Sequence, residues 1–317
     1  MKTIIYSVII TVIAFVFFAC AGQSTSAQKE TTQKVNQTTK AVKTTTKKTS
    51  KKKKEQPTTK KVVVKKIIKK KIKFKKKWKY AKYSKIHSGK AVLYKHTWGK
   101  RITICVNAGH GTRGGERYKT LCHPDGSPKL VSGSTRKGAK YSPSISGGTS
   151  LKGKSEAAAT LSLAKALKTK LLKAGFDVLM IREKRDVQLD NIARTVLANN
   201  YADCHIALHY DSTSSDKGAF FLSVPNIRSY RNMTPVKQHW RQHNKFGKKV
   251  IWGIRKKGLR ICGSGSMAMD LTQTSYSTIP SIDLEAGDKA TNTSKSANKK
   301  MAAGIAKGIK KYFKKKK

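Results

Sequence analysis

From residue 102 onward, short apolar runs of strand length alternate with longer runs of helical period, and this alternation restricts the fold more than any other feature. Ile102–Val106 reads as a buried strand entering Asn107-Ala108-Gly109-His110-Gly111. Residues 155–174 follow a helical period, with Ala159, Leu163, Ala166, Leu167 and Leu171 on one stripe, Ser155 as N-cap and Gly175 just past the end. Strand-like runs at 176–181, 204–208, 219–224 and 279–284 are interleaved with helical runs at 189–200, 235–256 and 299–313. Strands alternating with helices of these lengths predict an α/β fold, an open, mostly parallel sheet flanked by helices on both faces.

Residues before 101 have a different composition. Met1-Lys2, the apolar run Ile4–Phe18 and the small residues after it have the layout of an export signal, with cleavage expected after Ala27. The run is short for a membrane span, which needs about 20 residues. Cys20, in Phe17-Phe18-Ala19-Cys20, offers an alternative lipid anchor. Residues 28–100 carry 27 Lys against Glu30 and Glu55, and the whole chain has 69 Lys and Arg against 16 Asp and Glu, a formal charge of +53. The expectation is therefore a signal peptide at 1–27, a disordered Lys-rich wall-associating linker at 28–100 and a catalytic domain at 101–317. Such charge calls for polyanions. Export excludes nucleic acid and leaves anionic wall polymers or lipid headgroups, with Trp78, Tyr80, Tyr83, Tyr94 and Trp98 as aromatic anchors. Of the remaining cysteines, Cys105 and Cys204 read as buried thiols, while Cys122 and Cys262 are the better candidates for a bridge.

Gly109-His110-Gly111-Thr112-Arg113-Gly114 fits the glycine pattern of dinucleotide sites, but that pattern requires a helix to open at once. Here about forty loop residues intervene, and the loop at 112–154 lies where a lid would. His110 and His209 each sit just past the carboxyl end of a strand, and Glu156 opens the first long helix. In an open α/β sheet these points converge on one edge. Two imidazoles and a carboxylate make a three-ligand zinc site with a fourth position free for water. Glu285 ends the strand-like run that contains Ser281-Ile282-Asp283-Leu284, and is placed to handle protons there. Asp283 shares its face and is the rival for that role. His205 reads as core, and the remaining histidines have no metal-ligand spacing.

The stretches 104–111, 155–172, 175–194, 198–209 and 280–287 resemble the zinc amidases of the Amidase_3 type, N-acetylmuramoyl-L-alanine amidases. The resemblance implies cleavage of the bond between the lactyl group of N-acetylmuramic acid and L-alanine in peptidoglycan, by a monomer that holds Zn²⁺ on His110, Glu156 and His209. It also implies Glu285 as acid/base. The chain departs from the family pattern at Asn107-Ala108, at Tyr210-Asp211 and at Ala286-Gly287-Asp288. Asn107 and Asp211 are candidates to orient the histidines, and Arg182 and Arg194 to hold the fold rather than touch substrate. Two other functions fit the same residues: a non-catalytic wall-binding protein on the amidase fold, and a zinc peptidase acting on stem peptides.

Overall fold

The computed structural model describes residues 66–314. The export signal, Cys20 and residues 28–65 lie outside them. In chain order the elements are β1 (Ile67–Lys73), β2 (Lys90–His96), β3 (Thr103–Ala108), β4 (Lys119–Leu121), β5 (Tyr141–Pro143), β6 (Ser150–Leu151) and β7 (Lys154–Ser155). There follow α1 (Glu156–Lys173), β8 (Asp177–Met180), α2 (Asn191–Tyr201), β9 (Cys204–Asp211), β10 (Ala219–Ser223), α3 (Arg228–Asn232) and α4 (Val236–Arg255). The last are β11 (Ile261–Ala268), α5 (Thr272–Tyr276), β12 (Ser281–Asp288) and α6 (Lys295–Phe313).

Eight strands form one sheet in the order β1-β2-β8-β3-β9-β12-β10-β11. The central run β8-β3-β9-β12 is parallel throughout, as is β10-β11, while β1-β2, β2-β8 and β12-β10 are antiparallel. The strands read as continuous apolar runs because both faces are covered. On one face Ile104, Val106, Val178, Met180, Ile206, Leu208, Ile282 and Leu284 meet the buried stripes of α1, α4 and α6. On the other, Cys105, Leu179 and Ile181 meet Ala193 and Leu197 of α2. Ser155 Oγ accepts from the Ala158 amide at 3.3 Å and so caps α1, while the Asp190 carboxylate does the same for α2 through Ala193 at 2.7 Å. α4 and α6 approach so closely that a Cβ on Gly253 would overlap the backbone of Gly304 and Gly308.

Two expectations need correction. Residues 66–100 are folded, not part of a disordered linker. β1 and β2 pair in register from Ile67 opposite His96 to Lys73 opposite Lys90, and β2 joins the sheet through Val92–Met180 and Tyr94–Val178. Ile72 and Ala91 are buried against Leu179 and Leu197, with Phe74, Trp78 and Leu93 packed beside them. That apolar surface offsets the ordering entropy, and the lysines of the outermost strand are an ordinary guard for an exposed edge. Four of the five aromatic anchors pack on the fold: Trp78 lies edge-on to Tyr201 at 5.8 Å, Tyr80 and Tyr83 each lie 5.6 Å from Tyr276, and Tyr94 Oη donates to Glu183 at 2.5 Å, while Trp98 is exposed. Second, Cys122 and Cys262 form no bridge, and both are free thiols, as are Cys105 and Cys204. Cys122 is buried just past β4, whereas Cys262 lies on the outermost strand β11, so the two belong to separate elements.

Candidate metal centre

The carboxyl ends of β3, β9 and β12 lie side by side, because Asn107 pairs with Ala207, Ala108 with Leu208 and Glu285 with His209. Beyond Ala108 the Gly109 amide still donates to Leu208 O at 3.0 Å, and the chain then turns through left-handed backbone at His110 (φ 59°) and Gly111 (φ 72°). A non-glycine residue in this region is strained by about 1–2 kcal/mol. Two buried arginines hold it there. Arg182 donates to Ala108 O at 3.1 Å and Gly109 O at 2.8 Å, and Arg194 donates to Ala108 O at 3.0 Å and His110 O at 2.7 Å. Burial lowers both guanidiniums, to about 10 for Arg182 and about 9 for Arg194, so both keep their charge at neutral pH. They hold the fold, as expected from the sequence.

Position 109 must be glycine, since a Cβ there would overlap the His209 ring. The two imidazoles consequently meet at 4.8 Å between centroids and 85° between planes. Glu156, at the first turn of α1, completes the group. Its Oε1 lies 2.7 Å from His110 Nε2 and 3.1 Å from His209 Nδ1, and the two nitrogens are 3.1 Å apart. All three ligand-type atoms fall within 4.8 Å of one another, a cluster able to hold a metal ion. Two nitrogens and one carboxylate oxygen are the donor set zinc takes in its catalytic sites. Of the three, only His209 keeps much accessible side chain, 21% against 7% for His110 and 4% for Glu156, so the cluster opens on the His209 side.

Backbone groups fix the ligand-type side chains. The His110 Nδ1 edge meets Ser146 O at 2.8 Å, the Thr149 amide donates to Glu156 Oε2 at 2.9 Å, and the Tyr210 amide donates to Glu156 Oε1 at 3.1 Å. Burial alone would raise the Glu156 carboxyl, but hydrogen bonds from His110 and His209 outweigh it and hold the group well below the usual carboxylate range. For His209 burial acts downward, yet the bond to Glu156 pushes it up to about 9. The carboxylate stays anionic and draws positive charge to the centre, the electrostatic requirement of a cation site.

Glu285 stands level with His209 on the neighbouring strand, and its Oε2 is buried without a partner. Burial pushes its carboxyl up to about 8. Asp283 also carries an unpartnered oxygen, Oδ1, but it stands opposite Ala207, two residues further from the sheet edge. Neither candidate for orienting the histidines does so. Asn107 Oδ1 accepts from Arg194 Nη1 at 3.1 Å, and Asp211 is paired with Lys217 and accepts from Thr213 Oγ1 at 2.9 Å. For His110 that work falls to the Ser146 carbonyl in the loop 112–154, which side-chain spacing does not reveal, while His209 meets Glu156. His205 is core as expected: burial lowers it to about 3, and neither ring nitrogen has a partner.

The loop 112–154 is bonded to itself and tied at its middle to Asp270. Ser144 Oγ donates to Gly115 O at 2.8 Å, and Asp270 accepts from the Leu130 amide at 2.6 Å, the Val131 amide at 3.0 Å and Lys129 Nζ at 3.1 Å.

The family profile of N-acetylmuramoyl-L-alanine amidases, Amidase_3, matches residues 104–311. Among solved structures, the N-acetylmuramyl-L-alanine amidase Ami1 of Mycobacterium smegmatis superposes with a TM-score of 0.55 at 15% identity, over 67% of this chain and 96% of that one. The apo form of Ami1 from Mycobacterium abscessus superposes with a TM-score of 0.55 at 18% identity, over 68% and 99% of the two chains. At these identities the likeness is one of fold. No curated protein matches the chain by sequence.

Proposed function

The chain belongs to the Amidase_3 family of N-acetylmuramoyl-L-alanine amidases, and from that premise we propose that it cleaves the amide between the lactyl group of N-acetylmuramic acid and L-alanine, with His110, Glu156 and His209 holding a zinc ion. The observation that carries this reading is the convergence of His110 Nε2, Glu156 Oε1 and His209 Nδ1 beside the unpartnered Oε2 of Glu285. A zinc ion so held supplies Lewis-acid polarisation of the amide carbonyl and a water with pKa near 7.

The chain's own residues do the rest. Glu285 accepts a proton from the attacking water and returns it to the L-alanine nitrogen as the C–N bond breaks. Its level beside His209 puts it closer to the open side of the centre than Asp283, and so favours it over that rival. Ser146 O, on the far edge of the His110 ring, leaves Nε2 as the nitrogen that would hold the ion. The buried arginines fix the carbonyls of Ala108, Gly109 and His110 and so keep the imidazole aimed. In the same proposal the signal sequence exports the enzyme, and the Lys-rich stretch at 28–65 holds it against anionic polymers of the envelope.

Mass analysis of products from purified peptidoglycan tests the bond assignment. The amidase reading predicts intact stem peptides that begin with a free L-alanine amine, and glycan chains that keep their lactyl carboxyls. Cuts within the stem would instead make the protein a peptidase using the same ligands.

A further inference from the structure

β10 runs antiparallel to β12, with Phe220 opposite Glu285 and Leu222 opposite Asp283. The chain beyond Ser223 therefore emerges at the sheet edge opposite the candidate centre. There the segment 226–232 and the start of α4 form an open surface pocket of about 450 Å³, lined by Asn226, Arg228, Arg231, Lys237, Trp240 and Arg241. Its chemistry is one-sided, with three guanidiniums, an ammonium and no carboxylate. Among the described residues none of these four cations forms an ion pair.

A chain of charge +53 has lysines and arginines everywhere, so cationic surface alone would mean little. This group differs in being built. Arg231 donates from Nε to Pro225 O at 2.9 Å and from Nη1 to Asn226 Oδ1 at 2.6 Å, and its guanidinium lies 3.9 Å from the Trp240 ring centroid. Arg241 approaches the same ring at 4.5 Å. Below them Trp240 and Ile227 pack on the buried side chains of Val224, Tyr230, Met233 and Val236, which makes the floor firm. Bringing four like charges together is unfavourable in isolation, and the ring quadrupole offsets only part of that repulsion. A multivalent anion reverses that balance.

We propose that this pocket binds successive phosphates of a phosphodiester-linked polyol polymer. Guanidiniums and ammoniums pair well with phosphate oxygens, and because each phosphodiester carries one negative charge, four clustered cations are matched by several phosphates along one chain rather than by a single anion. Trp240 already has two cations over its ring, so ion pairing rather than stacking of a base or an aromatic group is the mode of recognition. The cavity is open at the surface, which lets a polymer enter and leave on either side of the bound phosphates. Standing at the opposite sheet edge, it can hold an anionic polymer while the catalytic edge remains free. The site does not depend on the catalytic reading above.

Calorimetric titration of the full chain with a synthetic glycerol-phosphate oligomer tests it. Arg231→Ala/Arg241→Ala is compared with a charge-matched control on β1, Lys71→Ala/Lys73→Ala. The proposal expects saturable binding that weakens about tenfold or more in the arginine pair and less than about twofold in the control. Equal losses in both variants would overturn it, because diffuse charge would then account for the binding. Vesicles of phosphatidylglycerol form a second arm. Loss of vesicle binding with unchanged oligomer binding in the arginine pair would overturn the polymer assignment in favour of a membrane. Hydrolysis of a short soluble substrate should be the same in all variants. If the arginine pair melts early, Arg228→Ala/Lys237→Ala, on exposed side chains, must show the same selective loss.

Discussion

Arg194 donates from Nη2 to the carbonyl oxygen of His110 at 2.7 Å, from a position fully inside the protein. With Arg182 it gathers the carbonyls of three successive residues and keeps His110 in left-handed backbone, so an imidazole from β3 can meet one from β9. The aim of the candidate centre is thus set by two buried cations bonded to main-chain oxygens.

Arg194→Lys should therefore weaken metal binding without touching a ligand. A lysine cannot reproduce the fork, and at least one buried carbonyl loses its donor, a cost of about 1–3 kcal/mol. Urea denaturation should show that loss, and competition with a chelator should show zinc affinity falling about tenfold or more. An unchanged zinc affinity would detach the arginine from the site.

Gly109→Ala separates the site from the fold. The added methyl would overlap the His209 ring, so the two imidazoles should no longer share an ion. Circular dichroism should stay close to wild type while bound zinc drops. Full zinc content in this variant would mean that the rings need not approach as they do here.

Glu285→Gln keeps the shape of the side chain and removes its proton chemistry. Turnover should fall by about 10²–10⁴, with zinc retained. Asp283→Asn should have a much smaller effect. The reverse ranking would hand the acid/base role to Asp283.

Asp270 gives the fold a pH dependence. Burial would raise its carboxyl, but the His123 ring 3.1 Å away, the bond from the Leu130 amide and Lys129 outweigh it, and the group lies below its ordinary value. A carboxyl depressed on folding stabilises the protein above its unfolded pKa, about 3.9, and the contribution fades as pH falls through the folded value. Melting temperatures of wild type and Asp270→Asn should therefore differ most near neutral pH, and the difference should shrink as pH falls below about 4. Limited proteolysis should find new cuts near 129–131 in the variant, where Asp270 now holds the loop.

Much of this was legible in the sequence, for identifiable reasons. The parallel core announces itself because strands covered on both faces must be largely apolar, as in Ile104–Val106. His110, Glu156 and His209 were visible because strand ends and helix starts in such a sheet share an edge. The β1-β2 hairpin was hidden: its inward residues, Ile72 and Ala91, are few, and the lysines around them imitate a solvated spacer. The partner of His110 was unreadable for another reason. It is the carbonyl of Ser146, which any residue could provide. Asn107 and Asp211 drew attention as polar side chains beside the ligands, yet Arg194 and Lys217 occupy them.

Zinc content of the purified chain, read by elemental analysis beside His110→Ala, Glu156→Ala and His209→Ala, tests the central claim most directly. The account predicts about one zinc per wild-type chain and a large loss in each variant whose circular dichroism remains native. A metal-free wild type that still cleaves peptidoglycan, or zinc retained in full after any of the three substitutions, would contradict it.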